Sequence, residues 1–258
     1  SLGRHPLGRR AVGVRVRMNE NTIESRSAMR EPSKNATVLA LYVALVAIAG
    51  AGLLIAGVTQ ATSQDAIVLG ALVLACAGAE LFAVKLFAES HVSVSGAAMM
   101  AAGAIFGLWG IVFTAPVITI AGQARDRYAI SKSFFNFGSL TLAGAAYVAV
   151  FRQFEAGVGG SGFSDILLPA VVAGLANMAV NSTLVAGAIS LDEGSSIIRV
   201  WRGNFLWLVP QYAVLGLVGI GLALALMSFG VWSLFLFALP LVSLSEALHT
   251  RAEAMRMR

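Results

Sequence analysis

A few polar side chains interrupt long apolar stretches of this sequence, and they are the residues best suited to chemistry. Asn177 and Asn181 are four residues apart, a spacing that places both on one face of a helix. A carboxamide offers hydrogen-bond donors and an acceptor together. The pair therefore indicates either hydrogen bonding between helices or the lining of a polar cavity.

Two other segments carry polar or small residues at helical spacing. These faces are Asn136, Ser139, Ala143 and Tyr147 in one segment, and Tyr212, Gly216 and Gly219 in another. Small residues also continue the asparagine face, at Ala170, Ala173 and Gly174. Small residues let neighbouring helix backbones approach closely. Three such faces can enclose a small pocket, and we expect their polar side chains to contact a ligand.

Glu80 is the most unusual single residue, because it lies within an apolar stretch. It is about six residues, or ~9 Å, from the end of its predicted helix and deeper than Lys85. An ionisable group at that depth usually faces protein or water. We consider three roles for it: contact with a ligand or proton, a structural hydrogen bond or ion pair, and extension to the membrane interface.

The stretch "IIRVWRGNFLWLVPQYAVLG", residues 197 to 216, changes from amphipathic to apolar. We expect its first part to lie along the membrane interface before the chain turns inward near Asn204. Pro210 lacks a backbone donor, so a carbonyl is left that Gln211, water or a neighbour must satisfy. This region is either an interfacial elbow or part of a ligand site. The candidate ligand-binding residues are thus Glu80, Asn136, Tyr147, Asn177, Asn181, Gln211 and Tyr212.

The composition explains which elements must position these side chains. Of the 258 residues, 58% are hydrophobic and 12% are charged, about half the charged fraction of soluble domains. The sequence predicts an all-α, polytopic membrane helix bundle, because a helix of ~20 apolar residues crosses the hydrocarbon core. Six long spans are predicted: Thr37 to Val58, Ala66 to Leu86, Ser133 to Phe151, Ile166 to Leu191, Phe205 to Phe229 and Val231 to Ala247.

Residues 92 to 122 are too long for one ordinary span, and "GLWG", Gly107 to Gly110, offers a break. We predict two short membrane helices here, either spanning or re-entrant. Eight of the 18 lysines and arginines precede the first span, so the positive-inside rule places the N-terminus in the cytoplasm. If residues 92–122 form two short helices, the chain returns to the cytoplasm, and every later basic loop except that of Arg152 is also cytoplasmic. The predicted orientation has both termini in the cytoplasm.

The remaining segments complete the predicted organisation. Residues 1–35 form a disordered basic cytoplasmic arm, 36–248 the transmembrane domain and 249–258 a cytoplasmic helical tail. The tail either pairs with another chain or is a solvated anchor. His5, His91, His249 and the lone Cys76 are scattered, so we expect no metal, no cofactor and no enzymatic activity. The expected partners are lipid, an unknown small molecule and a cytoplasmic effector or second copy, with no nucleic acid.

Four segments resemble a known family. They are "VSVSGAAMMAAGAIFG" (92–107), "SFFNFGSLTLAGAAY" (133–147), "NMAVNSTLVAGAISL" (177–191) and "VWRGNFLWLVPQYAVLG" (200–216). Together they resemble the multi-helix membrane sensor region found ahead of HD-GYP phosphodiesterase or GGDEF cyclase domains in bacteria. The resemblance spans roughly 92 to 248. The matching positions are Asn136, Asn181, Trp201, Asn204, Trp207, Pro210 and Tyr212.

The resemblance implies a sensory, ligand-binding module of a bacterial signalling system, located in the bacterial cytoplasmic (inner) membrane. Such regions are also similar in layout to the substrate-binding membrane subunits of vitamin-uptake transporters, which implies a small-molecule cavity among the helices. The sequence contains neither output-domain motif, so we expect a module without its own catalytic domain. The alternative is a small-solute-binding subunit of a membrane transporter.

Overall fold

The computed structural model describes residues 35–60, 66–81, 84–87, 90–92, 95–154 and 163–234. The helices are α1 (Ala36–Val58), α2 (Ala66–Leu81), α3 (Ser95–Phe106), α4 (Leu108–Asp126), α5 (Ile130–Gln153), α6 (Phe163–Glu193), α7 (Ile197–Asn204) and α8 (Val209–Phe229). Between α2 and α3, strand β1 (Val84–Phe87) pairs antiparallel with β2 (Ser90–Val92). Short 3-10 turns cover Leu206–Leu208 and Gly230–Trp232. The predicted all-α class is confirmed for this part of the chain.

Four elements are long and apolar enough to cross a membrane: α1, α5, Asp165–Glu193 within α6, and Leu206–Trp232, which contains α8. They correspond to four of the predicted long spans. In α1, only 11% of the most apolar 18 residues are buried, so side chains such as Leu45 and Ile48 face outward. Such a surface fits a hydrocarbon environment, because water does not stabilise a continuous apolar helix face.

The prediction of one long span from Ala66 to Leu86 is wrong for the residues after Leu81. Helix α2 ends at Leu81 after 16 residues, which gives it a length of about 24 Å, and Val84–Phe87 belongs to β1. A short apolar run with β-branched and aromatic residues suits a strand as well as a helix, and hydropathy does not separate the two. The described residues therefore contain four of the six predicted long spans, and the sixth, Val231 to Ala247, lies mostly outside them.

The predicted break between the two short helices is confirmed at Gly107. Helix α3 ends at Phe106 and α4 begins at Leu108, with Gly107 at φ 68° and ψ −142°. Residues with a Cβ rarely adopt this backbone conformation. A Cβ at Gly107 would also overlap the Arg152 guanidinium at the end of α5. Helix α4 has 19 residues, so the second helix of the pair is longer than predicted.

Several predictions lie outside the described residues. They concern the disordered arm of residues 1–35, the cytoplasmic tail of residues 249–258 and most of the last predicted span. Of that span, only residues 231–234 are described, and they form the end of a 3-10 turn and the start of a helical turn.

Helix termini with basic residues gather at one end of the bundle. There the Arg125–Glu80 ion pair, with 3.0 Å between Nη1 and Oε1, joins the last turns of α2 and α4. The Asn35 side chain donates to the Leu191 carbonyl at 3.4 Å, which joins the start of α1 to the last turns of α6. We call this the basic end, after Arg125, Arg127, Lys132, Arg199 and Arg202. That it faces the cytoplasm stays a prediction.

The predicted amphipathic segment before the last described long helix forms α7, with exposed Arg199 and Arg202. Trp201 Nε1 donates to Ser182 Oγ at 2.9 Å, which holds α7 against α6. Pro210 lies in the first turn of α8, where its missing N–H breaks no helical hydrogen bond. The prediction that Pro210 frees a carbonyl, to be satisfied by Gln211, water or a neighbour, is therefore wrong.

Candidate functional site

A cavity of about 240 Å³ lies between the helices near the basic end. Nine polar residues line it: Glu80, Ser95, Thr119, Tyr128, Asn136, Ser139, Asn177, Asn181 and Tyr212. The other lining residues are Gly96, Met99, Ile118, Leu140, Val185 and Leu215. A small, partly open space with several polar groups among apolar walls has the character of a ligand site.

One wall of the cavity is formed by polar side chains from α5, α6 and α8. Ser139 Oγ donates to Asn181 Oδ1 at 2.6 Å, and Tyr212 lines the same cavity. Helices α6 and α8 can approach closely here because Gly174 lies opposite the Tyr212 carbonyl, where a Cβ would be only 2.7 Å from the oxygen. The three faces predicted from helical spacing therefore meet around one space.

Asn177 contributes an unpaired donor to the same wall. Asn177 is only 3% exposed, and its Nδ2 has no hydrogen-bond partner among the residues that the structure describes. An unsatisfied buried amide costs about 1–3 kcal/mol. Because Asn177 lines the cavity, a molecule in the cavity that carries an acceptor can remove this cost.

Glu80 forms the opposite wall together with Ser95, the first residue of α3. Ser95 Oγ donates to Glu80 Oε2 at 2.7 Å, while Arg125 Nη1 lies 3.0 Å from Oε1. Arg125 Nη1 also donates to the Glu80 backbone carbonyl. Glu80 is 8% exposed, which excludes extension to the interface. It has the predicted ion pair and also lines the cavity, so the structural and ligand roles remain compatible.

Tyr128 reaches the cavity from the loop between α4 and α5. This loop begins with Arg127 in the left-handed region at φ 49°. Gln123 Nε2 donates to the Tyr128 carbonyl at 2.8 Å, and Ser133 Oγ donates to Gln123 Oε1 at 2.6 Å. Lys132 Nζ lies 5.4 Å from the centre of the Tyr128 ring, a cation–π distance. The loop is thus held in the position that places Tyr128 against the site.

Five of the seven predicted site residues line the cavity, and Tyr147 and Gln211 do not. Tyr147 is on the predicted face of α5 but about 12 Å further along the helix than Ser139. It is fully buried and stacks on Phe151, with 5.7 Å between ring centroids. Gln211 is adjacent to Tyr212, and neighbouring positions on a helix point about 100° apart.

Sequence reasoning missed four residues of the site: Ser95, Thr119, Tyr128 and Arg125, the partner of Glu80. Serine and threonine are common in membrane helices, where their hydroxyls can bond to their own backbone. Thr119 does so by donating to the Ala115 carbonyl at 2.9 Å. Tyr128 belongs to a polar loop, so its residue type gave no signal. The buried Glu80 was the only available indication that a cation such as Arg125 must lie nearby.

No three His, Cys, Asp or Glu side chains of the described residues are grouped so that they could hold a metal ion. Comparison of the chain with protein-family models, with curated proteins and with solved structures gave no match. The cavity and its side chains are therefore the features that indicate a function.

Proposed function

We propose that the protein is a membrane-embedded sensory module of a bacterial signalling system and that the cavity is its solute site. The observation that carries this proposal is the buried Asn177 amide, which lines the cavity and has no partner within the described part of the chain. A solute with a hydrogen-bond acceptor satisfies this amide. Selection seldom keeps such a group inside a membrane bundle without a function.

The cavity volume limits the solute to a small molecule. At ~30 Å³ per water molecule in the liquid, 240 Å³ corresponds to about eight waters. Sites for drug-sized ligands are usually ~300–1,000 Å³. A compact solute of roughly ten non-hydrogen atoms suits this space better than a nucleotide or a lipid.

A short series of contacts links the cavity to the surface helix α7. Asn181 and Tyr212 line the cavity, the residue after Asn181 is Ser182, and Ser182 accepts a hydrogen bond from Trp201 of α7. Tyr212 also follows α7 in sequence after one 3-10 turn. A solute that changes the position of Tyr212 or Asn181 would therefore move α7 at the basic end, provided that it binds one arrangement more tightly than another.

The alternative function, a small-solute-binding subunit of a transporter, rests on the same cavity. The contacts between the cavity wall and α7 favour sensing. The depth of the cavity does not separate the two functions, because its lining extends from Tyr212 near the start of α8 to Asn177 at the middle of α6.

A fusion protein tests the sensory function. A diguanylate cyclase domain joined after Arg258 should change its output when cells or vesicles receive a filtered small-molecule extract. Tyr212→Ala should lose that response, whereas Phe229→Ala, an outward-facing aromatic on the same helix, should keep it. Equal output from all three proteins, with and without the extract, would exclude signalling and leave binding or transport.

A further inference from the structure

Two carboxamides that line the cavity have hydrogen-bonding groups to offer. Asn177 Nδ2 has no partner among the described residues, and no hydrogen bond joins the Asn136 side chain to another residue of the described chain. Both side chains line the cavity. A carboxamide in a poorly solvated space needs partners for its donors and its acceptor. Each of the two can therefore form hydrogen bonds with a solute.

The course of α5 and α6 determines the depth of each carboxamide. Tyr42 of α1 contacts Phe135 in the second turn of α5, with 6.1 Å between ring centroids, and donates to the Leu184 carbonyl in the last third of α6 at 2.9 Å. The two helices therefore run in opposite directions, and α5 starts at the basic end. A residue later in α5 or earlier in α6 lies deeper, that is, further from the basic end.

The Ser139–Asn181 hydrogen bond, 2.6 Å long, gives the two helices a common level. Asn136 is about one turn before Ser139 and lies nearer the basic end, whereas Asn177 is about one turn before Asn181 and lies deeper. At ~1.5 Å per residue, the two positions are ~10 Å apart along the helices. Because each Cβ tilts towards the N-terminus of its helix, the two side chains point further apart. Asn136 and Asn177 therefore lie at different ends of the α5–α6 wall.

This spacing limits the shape of a solute that contacts both carboxamides. Hydrogen bonds of ~2.9 Å at each end leave ~4–6 Å between the two polar groups of the solute, about the span of one ring. The rest of such a solute meets apolar walls, because Met99, Ile118, Leu140, Val185 and Leu215 also line the cavity. The complementary molecule thus has two separated polar groups on an apolar body.

We propose that the cavity binds a single-ring solute with polar groups at opposite ends, an acceptor for Asn177 at the deep end and a hydroxyl or amide for Asn136 at the other. A ring with a carbonyl group and a hydroxyl group in para positions belongs to this class. This inference rests on the proposed solute-binding function and adds the chemical class of the solute.

Three probes of equal size test the two-ended requirement: para-hydroxybenzamide, ortho-hydroxybenzamide and para-methylbenzamide. The ortho isomer has the same groups side by side, and the methyl compound lacks the second polar end. The full chain in mild detergent is heated with each probe, and the shift in Tm gives the relative affinity. We expect para-hydroxybenzamide to bind at least about fivefold more tightly than either of the others, because only this compound satisfies both carboxamides.

Two substitutions assign the ends of the solute. Asn136→Leu should make para-hydroxybenzamide and para-methylbenzamide bind about equally, because the partner of the hydroxyl is lost. Asn177→Leu should weaken both by a similar factor, because both present a carbonyl at the deep end. Thr183→Leu, an outward-facing change on α6, should leave all three shifts unchanged. The wild-type probe series stands by itself should either asparagine variant fail to fold.

The possible failures are distinguishable. Equal shifts from the three probes, all reduced in Asn177→Leu, would overturn the two-ended requirement and leave solute binding in place. Absence of any shift, while the purified protein retains a small molecule of its own, would overturn the proposed solute class only. Absence of both would contradict the binding function as well.

Discussion

The Arg125 guanidinium lies 3.0 Å from the Glu80 carboxylate, and the two side chains are only 16% and 10% exposed. Their contact connects the last turn of α4 to the last turn of α2. A buried ion pair adds little net stability, but removal of one partner leaves the other charge uncompensated. This relationship fixes one wall of the cavity and gives the first prediction.

Arg125→Gln should lower the free energy of unfolding by about 3–5 kcal/mol, because it removes the guanidinium that contacts a buried carboxylate. Arg127→Gln, a matched change at an exposed position two residues away, should have little effect. The double variant Glu80→Gln with Arg125→Gln should recover part of the loss. Reversible unfolding in mixed micelles measures all three. Equal stability of the Arg125 and Arg127 variants would show that the ion pair is not structural.

The close approach of α6 and α8 gives the second prediction. A Cβ at Gly174 would lie 2.7 Å from the Tyr212 carbonyl oxygen, whereas Gly221 on α8 has nothing within 4 Å of its Cβ position. Gly174→Ala should destabilise the protein by roughly 1–3 kcal/mol through overpacking. Gly221→Ala should be neutral or slightly stabilising, since alanine has the higher helix propensity. Thermal unfolding of the two variants in the same detergent decides between these outcomes.

The orientation in the membrane gives the third prediction. The basic end, including the loop between α4 and α5, should face the cytoplasm by the positive-inside rule. Ala124 and Ser131 are exposed on either side of this loop, and the native Cys76 is buried. Single cysteines at these two positions in a Cys76→Ala background should react with a membrane-impermeant maleimide only after cells are opened. Labelling in intact cells would show that this loop faces outward and that the predicted orientation is wrong.

Sequence reasoning reached the site through polar residues that are expensive in hydrocarbon. Asn136, Asn177, Asn181 and Glu80 could be recognised because an amide or carboxylate in an apolar run needs a protein or water neighbour. Helical spacing also predicted the face of Tyr147, but spacing gives the direction of a side chain and not its depth. Tyr147 thus shares a face with Ser139 without sharing its cavity.

The position of Tyr128 and the end of α2 could not be predicted from local sequence patterns. The position of Tyr128 depends on hydrogen bonds from Gln123 and on the Lys132 contact, none of which has a periodic signature. The end of α2 at Leu81 was missed because the following apolar residues suit a strand equally well. The break at Gly107 was predictable because glycine has no Cβ and adopts backbone conformations that other residues rarely adopt.

The most direct test of solute binding is the molecule that the protein retains on purification. Small molecules extracted from wild-type protein in mild detergent are identified by mass spectrometry, together with those from Asn177→Leu and Thr183→Leu. We expect one small solute at near-equimolar amount with wild type and Thr183→Leu, and at least about tenfold less with Asn177→Leu, since the lost hydrogen bond is worth roughly 1–3 kcal/mol. Equal amounts in all three proteins, or none in wild type, would contradict a solute site at Asn177.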